Sequence, residues 1–211
     1  MTAVVMNIRL VPDVFLWPGF FAPTAQAQLL SEVQARIECA PFYRPSMPYS
    51  GTPFSVEQTN FGSLGWYSDQ SGYRYETTHP STKSPWPDIP DLLLQLWHAL
   101  GAYRSAPECC LVNFYRNEAR MGLHQDRDEQ VLDAPVLSVS LGDSAVFRIG
   151  GTKRRDPTMS VTLNSGDVVM FGGVARLAYH GIDRVIAGTS PLISGGGRIN
   201  LTLRRVTCGR K

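Results

Sequence analysis

From about residue 108 onward the chain reads as short segments in which apolar and polar side chains alternate, with Gly or Pro between them. Cys110–Tyr115, Val136–Leu141, Ala145–Ile149, Ser160–Leu163, Asp167–Phe171 and Arg198–Val206 are the expected strands. A period of two is the periodicity of a strand, and several short strands at such spacing pack as a sandwich or barrel. A chain of 211 residues suffices for one domain with a core that needs no staples. Its charged fraction of 18% lies below the ~25% usual for folded proteins, which excludes a disordered polyelectrolyte. The balance of 20 Lys+Arg against 18 Asp+Glu excludes a polybasic binder but not a local basic patch.

No apolar run approaches the ~20 residues of a membrane span, and no charged head precedes an apolar core at the N-terminus, so neither a transmembrane helix nor a signal peptide is expected. Cys39, Cys109, Cys110 and Cys208 form no CxxC pair; a reduced, cytoplasmic setting and a monomer are the expectations.

Before the strands the chain changes character twice. Val4–Val11 reads as extended. Leu29, Leu30, Val33 and Ile37 recur at helical spacing, placing a helix near 25–39 with Thr24 as its N-cap and Pro41 beyond its end. Residues 41–90 are rich in Pro and hold ten aromatic residues, Trp66, Tyr73 and Tyr75 among them. Such a segment is irregular, with a short hairpin or two. Its rings either pack on the core or form a lid on which bases stack. Leu92, Leu93, Leu96, Trp97 and Leu100 give one apolar face to a second helix near 91–103. The expected organisation is therefore one compact unit: 1–40 packing on a core, 41–90 as an irregular layer or lid, and 91–211 as the core itself.

Two patterns carry chemistry. His124 and Asp126 are alternate residues, so in extended chain they project to the same side with Gln125 opposed. His180 lies 54 residues past Asp126, far enough to return on another strand. Two imidazoles and a carboxylate on one face of a metal are the ligand set of non-haem Fe(II) oxygenases, although an HxD pair alone is as readily a solvated surface pair. In the last strand Arg198, Asn200, Thr202 and Arg204 share one face, and Ile199, Leu201 and Leu203 the other. The polar face either meets solvent or clamps a dicarboxylate with two guanidinium forks. Asn113 and Tyr115 share a face in the same way.

These residues resemble the bacterial AlkB-type dioxygenases. The resemblance rests on Asn113-Phe114-Tyr115, His124-Gln125-Asp126, His180 and Arg198-Ile199-Asn200-Leu201-Thr202-Leu203-Arg204. Leu64-Gly65-Trp66, Gly72-Tyr73-Arg74-Tyr75, Lys83-Ser84-Pro85-Trp86-Pro87, Ser138-Val139-Ser140-Leu141-Gly142, Gly150–Pro157 and Gly166-Asp167-Val168-Val169 fit it too, so it spans about residue 15 to about residue 206. It implies a mainly β fold with flanking helices (α+β), a double-stranded β-helix or jelly-roll core behind an N-terminal nucleotide-recognition lid. It further implies an Fe(II)- and 2-oxoglutarate-dependent dioxygenase that uses O2 to demethylate N-alkylated bases in single-stranded DNA or RNA. By motif position, His124, Asp126 and His180 would hold iron. Arg198, Arg204, Asn113, Tyr115 and Asn200 would bind 2-oxoglutarate. Trp66, Tyr73, Arg74 and Tyr75 would line the base pocket, and Asp128 and Arg154 would contact the extruded nucleotide. Action mainly on RNA or on protein is the alternative. Phosphate contacts are expected from Lys153, Arg154 and Arg155 and from a C-terminal third that has no acid after Asp183 but carries Arg184, Arg198, Arg204, Arg205, Arg210 and Lys211. Binding should then weaken steeply with salt.

Overall fold

The computed structural model describes residues 6–208. Its strands are β1 (Ile8–Val11), β2 (Val14–Trp17), β3 (Glu57–Phe61), β4 (Gly65–Asp69), β5 (Gly72–Glu76), β6 (Cys109–Tyr115), β7 (Met121–His124), β8 (Val136–Gly142), β9 (Ser144–Ile149), β10 (Met159–Leu163), β11 (Val168–Phe171), β12 (His180–Ile186) and β13 (Arg198–Arg204). The helices are α1 (Pro23–Cys39) and α2 (Asp91–Leu96). Seven strands form one antiparallel sheet in the order β1-β2-β11-β8-β13-β6-β3; four form a second, β10-β9-β12-β7; β4 and β5 make a separate hairpin. This is the expected double-stranded β-helix.

The alternation along the strands decides which side chain goes where. On the large sheet, Cys110, Val112 and Phe114, then Leu137, Val139 and Leu141, then Ile199, Leu201 and Leu203 meet Leu29, Leu30, Val33, Leu93, Leu96 and Trp97 in one core. Each such side chain stabilises the fold by about 1.5–3 kcal/mol when fully buried. A second core lies between the sheets, where Val136, Val169 and Phe171 of one meet Ala145, Phe147, Ile149 and Ile182 of the other. The polar faces of β6 and β13 therefore point between the sheets.

Several expectations are corrected. Residues 4 and 5 of the expected N-terminal strand lie outside the described residues; β1 begins at Ile8. Helix α1 starts at Pro23, with Ala22 at the N-cap and no side-chain cap, so Thr24 is inside the helix; proline suits the first turn because it lacks an N–H that would be unpaired there. The second helix is α-helical only to Leu96, and a π-helical turn, Trp97–Gly101, follows. Trp97 is fully buried there, its Nε1 donating to Ser105 O at 3.0 Å. The last strand stops at Arg204 because the next N–H groups turn to a side chain: Glu108 Oε2 accepts from Val206 N at 3.0 Å and Thr207 N at 2.7 Å.

The 41–90 segment is not a lid throughout, since β3 is the edge strand of the large sheet, paired with β6. Both readings of its aromatic residues apply, to different rings. Phe42 packs on Phe114 with centroids 5.3 Å apart, and Tyr43, His79 and Trp86 cluster together. Trp66 and Tyr73 instead face the cavity described next.

Candidate active site

Strands β7 and β12 are neighbours, and their register sets His180 opposite His124. Opposed residues of an antiparallel pair share a face, which brings the imidazole centroids to 4.5 Å. Gly181 makes the approach possible: a Cβ there would lie 2.5 Å from Met121 O. Asp126 follows two residues past β7 and turns Oδ1 to within 3.7 Å of His124 Nε2. One ligand atom from each of His124, Asp126 and His180 lies within 4.8 Å of the others, near enough for small side-chain rotations to bring all three to one ion.

The donor chemistry fits a divalent metal. His124 Nδ1 faces Gly122 O at 3.0 Å and His180 Nδ1 faces Ala178 O at 2.9 Å. A carbonyl only accepts, so Nδ1 carries the proton on both rings and each Nε2 keeps its lone pair for a metal. Burial, reinforced by repulsion from His124, pushes His180 down to about 4, so its ring is neutral near pH 7. Burial raises the Asp126 carboxyl, but Arg204 and the two imidazoles outweigh it and hold the group well below the usual carboxylate range. Gln125 points the other way, donating to Leu177 O at 2.6 Å and Thr152 O at 3.2 Å.

These ligands open onto a cavity of about 580 Å³ whose wall includes Asn113, Tyr115, Arg198, Asn200, Thr202 and Arg204. The polar face of β13 is thus buried rather than solvated. Arg198 is completely buried, donates Nη2 to Ser140 Oγ at 2.8 Å, and leaves Nε and Nη1 without partners. Burial lowers its guanidinium to about 10, still a cation at neutral pH. A buried fork with two idle donors fits a carboxylate. Arg204 lies at the metal end, Nη2 being 2.8 Å from Asp126 Oδ2. That approach is off the hydrogen-bond axis, since Oδ2 has no aligned donor. Burial keeps the Tyr115 phenol protonated, pushing it up to about 12. Asn200 has both N–H groups engaged, with Ser138 Oγ at 2.7 Å and Val139 O at 3.1 Å, and so holds the wall.

Over the cavity mouth Trp66 and Tyr73 stack, centroids 5.5 Å apart and planes at 23°. Trp66 Nε1 donates to Asp128 Oδ2 at 2.8 Å. Arg154 also lines the mouth, exposed, its Nη1 3.3 Å from Leu123 O.

Two residues expected in the base pocket are elsewhere. Arg74 alternates with Tyr73 and so takes the opposite face of the hairpin, where it pairs with Asp69 at 2.9 Å and Glu76 at 2.6 Å and lies over the Tyr67 ring. Tyr75 packs beneath the hairpin, donating its hydroxyl to Glu129. The basic C-terminal third is not a basic surface either. Arg198 and Arg204 are buried in the cavity wall, Arg205 pairs with Glu108 at 3.4 Å, and of the described cations after Asp183 only Arg184 is exposed. Arg210 and Lys211 lie outside the described residues. Cations do stand at the mouth: Arg120, Arg127 and Arg154 line it, are exposed and pair with no carboxylate among the described residues.

Sequence reasoning missed Gln58, Phe171, Glu129 and Arg176. Gln58 lines the cavity and donates to Asn113 Oδ1 at 2.7 Å; Phe171 packs against His180 with centroids 4.7 Å apart. Glu129 reads in sequence as one more acid in a solvated run, and Arg176 directly follows a short 3-10 turn, Gly173–Ala175, with no periodicity to mark it.

The family model described as the 2OG-Fe(II) oxygenase superfamily matches residues 13–204. The alpha-ketoglutarate-dependent dioxygenase AlkB homolog of Caulobacter vibrioides is 56% identical over 198 residues, covering 94% of this chain and 90% of that protein. The alpha-ketoglutarate-dependent dioxygenase AlkB of Escherichia coli is 42% identical over 189 residues, covering 88% and 87%. Among solved structures, that of OsALKBH1 superimposes with a TM-score of 0.79 at 31% identity, covering 95% of this chain and all of that one.

Proposed function

We propose a substrate for a chain that belongs to the 2OG-Fe(II) oxygenase superfamily and, within it, to the AlkB-type dioxygenases: it removes N-alkyl groups from the bases of single-stranded DNA or RNA. The observation that carries this reading is one shared cavity. A His-Asp-His metal site, a buried Arg198 with idle donors, and a stacked Trp66–Tyr73 pair all open onto it.

His124, Asp126 and His180 would hold Fe(II), with both Nε2 atoms and the Asp126 carboxylate free to ligate. Arg204, beside Asp126, would take one carboxylate of 2-oxoglutarate. Arg198 would take the other through Nε and Nη1, and Asn113 and Tyr115 would complete the pocket. When bound, Fe(II) and 2-oxoglutarate would supply oxidation by O2, with 2-oxoglutarate leaving as succinate and CO2 and one oxygen atom entering a C–H bond of the N-alkyl group. The hydroxymethyl amine so formed breaks its N–C bond and releases formaldehyde and the repaired base.

An alkylated Watson–Crick edge is buried in a duplex, so the base must be single-stranded or flipped out at a cost of a few kcal/mol. Stacking on Trp66 and Tyr73, at about 1–3 kcal/mol per base, offsets that cost. Asp128 favours a base that alkylation has made cationic. Arg120, Arg127 and Arg154 meet the phosphates beside the extruded nucleotide. Release of those counterions predicts that log K falls with log salt at a slope of about −2 for three phosphates on a single strand; a flat response removes the strand from the proposal.

The deciding experiment measures formaldehyde from oligonucleotides carrying 1-methyladenine or 3-methylcytosine, in DNA and in RNA, with Fe(II), 2-oxoglutarate and ascorbate. Stoichiometric formaldehyde and succinate are expected, and the rates on the two strands rank DNA against RNA. Succinate without formaldehyde from any strand would transfer the activity to another substrate.

A further inference from the structure

Asp126 belongs to a buried set of four charges, two of which, Asp126 and Arg204, line the cavity. Arg204 is shared: its Nη2 is 2.8 Å from Asp126 Oδ2 and its Nε 3.6 Å from Glu129 Oε1. Glu129 Oε2 pairs with Arg176 Nη2 at 3.1 Å, with side chains only 1% and 3% exposed. Arg176 in turn donates Nη1 to the main-chain oxygen of Asp126 at 2.6 Å and Nε to Ala134 O at 2.9 Å. Tyr75, from the lid hairpin, donates to Glu129 and sits 3.4 Å from Arg204 Nη1. Glu129 does not line the cavity, so it has no direct reach to a substrate.

Two carboxylates and two guanidiniums cancel in charge before any ion binds. Burying such a set is seldom a net gain in stability. What this one does achieve is geometric. Arg176 fixes the backbone of Asp126 and Arg204 pairs with one of its two carboxylate oxygens; among the described residues Glu129 is the one side chain paired with both arginines. Without Glu129, Arg204 would answer to Asp126 alone and compete with a divalent cation for that carboxylate, while Arg176 would lose its counter-charge.

We propose that Glu129 is a positioning residue of the metal centre: by holding Arg204 and Arg176 together it leaves Asp126 Oδ1 to the metal and Oδ2 to Arg204, and through Tyr75 it ties the lid hairpin to the metal ligand. The inference rests on the reading that His124, Asp126 and His180 bind a divalent ion, but not on the identity of the substrate.

The test titrates Co(II) into the full-length apo chain and follows both Kd and the visible absorption of bound Co(II). Glu129→Gln keeps the shape and removes the charge. Its Kd should rise about 10- to 100-fold, the scale of outer-shell effects on metal sites. Its Co(II) band should shift, and KM for 2-oxoglutarate should rise by a larger factor than kcat falls. Glu129→Asp should recover part of the affinity. A purely structural Glu129 would lower the melting temperature and leave the Kd and band of the folded protein at wild-type values; that result overturns the proposal. Tyr75→Phe keeps every charge and removes one hydrogen bond to the same carboxylate, so it provides a test even if Glu129→Gln fails to fold. It should weaken Co(II) a few-fold with a smaller band shift, and wild-type Kd and band in that variant would overturn the link to the hairpin. A Glu129 effect on Co(II) in a protein that releases no formaldehyde would leave this inference standing and sink the substrate reading; wild-type protein that fails to bind Co(II) would sink both.

Discussion

Replacing Arg198 by Met should separate two quantities that usually move together, stability and cosubstrate affinity. Arg198 is fully buried with a single polar partner, Ser140, and two unpartnered nitrogens. Each buried unsatisfied donor costs about 1–3 kcal/mol. Met fills much of the same volume without polar atoms, and only the hydrogen bond to Ser140, worth about 1 kcal/mol, is lost. The apo variant should therefore gain roughly 1–5 kcal/mol, which for a domain of this size is a rise of about 2–20 °C in melting temperature. On the ligand side, two charge-assisted hydrogen bonds at about 1.5–3 kcal/mol each disappear. Affinity for 2-oxoglutarate should fall about a hundred- to ten-thousand-fold. Thermal melts of the metal-free, cosubstrate-free protein and succinate release against 2-oxoglutarate concentration give both numbers. Arg198→Lys keeps the charge but not the fork and should lie between wild type and Met in KM. A lower apo melting temperature together with a KM within threefold of wild type would refute the assignment of Arg198 as an idle anion receptor.

Three further outcomes are expected. Trp66→Ala removes a stacking ring worth about 1–3 kcal/mol, so repair of a methylated strand should slow about 5- to 150-fold while 2-oxoglutarate decay without substrate continues; equal loss of both would place the ring in the core. Gly181→Ala puts a Cβ 2.5 Å from Met121 O and should push β12 from β7, weakening metal binding by isothermal titration while the rest of the fold survives; unchanged affinity would show that the strands give way freely. Asp143 accepts backbone N–H groups from Thr189 at 2.9 Å, Ser190 at 3.1 Å and Gly197 at 2.9 Å, anchoring the loop that leads into Arg198. Burial raises this carboxyl, but those donors outweigh it and the net shift is downward. A depressed folded-state pKa means stability that is present above the ordinary carboxylate value near 3.9 and is lost as pH falls below it. Asp143→Asn should accordingly flatten the acid limb of a melting-temperature profile and raise KM for 2-oxoglutarate; an unaltered acid limb would exclude Asp143 as its source.

How much of this was legible in the residues follows from what periodicity can encode. Alternation in β13 placed Arg198, Asn200, Thr202 and Arg204 on one face, and the His124–Asp126 spacing put an imidazole and a carboxylate side by side. The motifs carried the family, the cofactors and the second histidine. Alternation states which side chains share a face; it does not state which face is buried, and a row of polar residues looks the same whether it meets water or lines a cavity. Only the packing of two sheets turned the β13 row inward and left Arg198 with idle donors. The same limit misplaced Tyr75: it shares its face with Trp66 yet packs against Glu129 beneath the hairpin. Arg74 was separable by alternation alone, and the motif resemblance overrode it. The Glu129–Arg176–Arg204 cluster joins residues 47 and more positions apart, through a short turn and a strand end with no pattern of their own. Likewise the basic C-terminal third was a true count of charges but not of exposed ones. Local sequence determines which side chains are neighbours along a strand or helix, whereas burial and ion pairing across the fold are set by strand register and by the desolvation of each charge, which exist only once the sheets have closed.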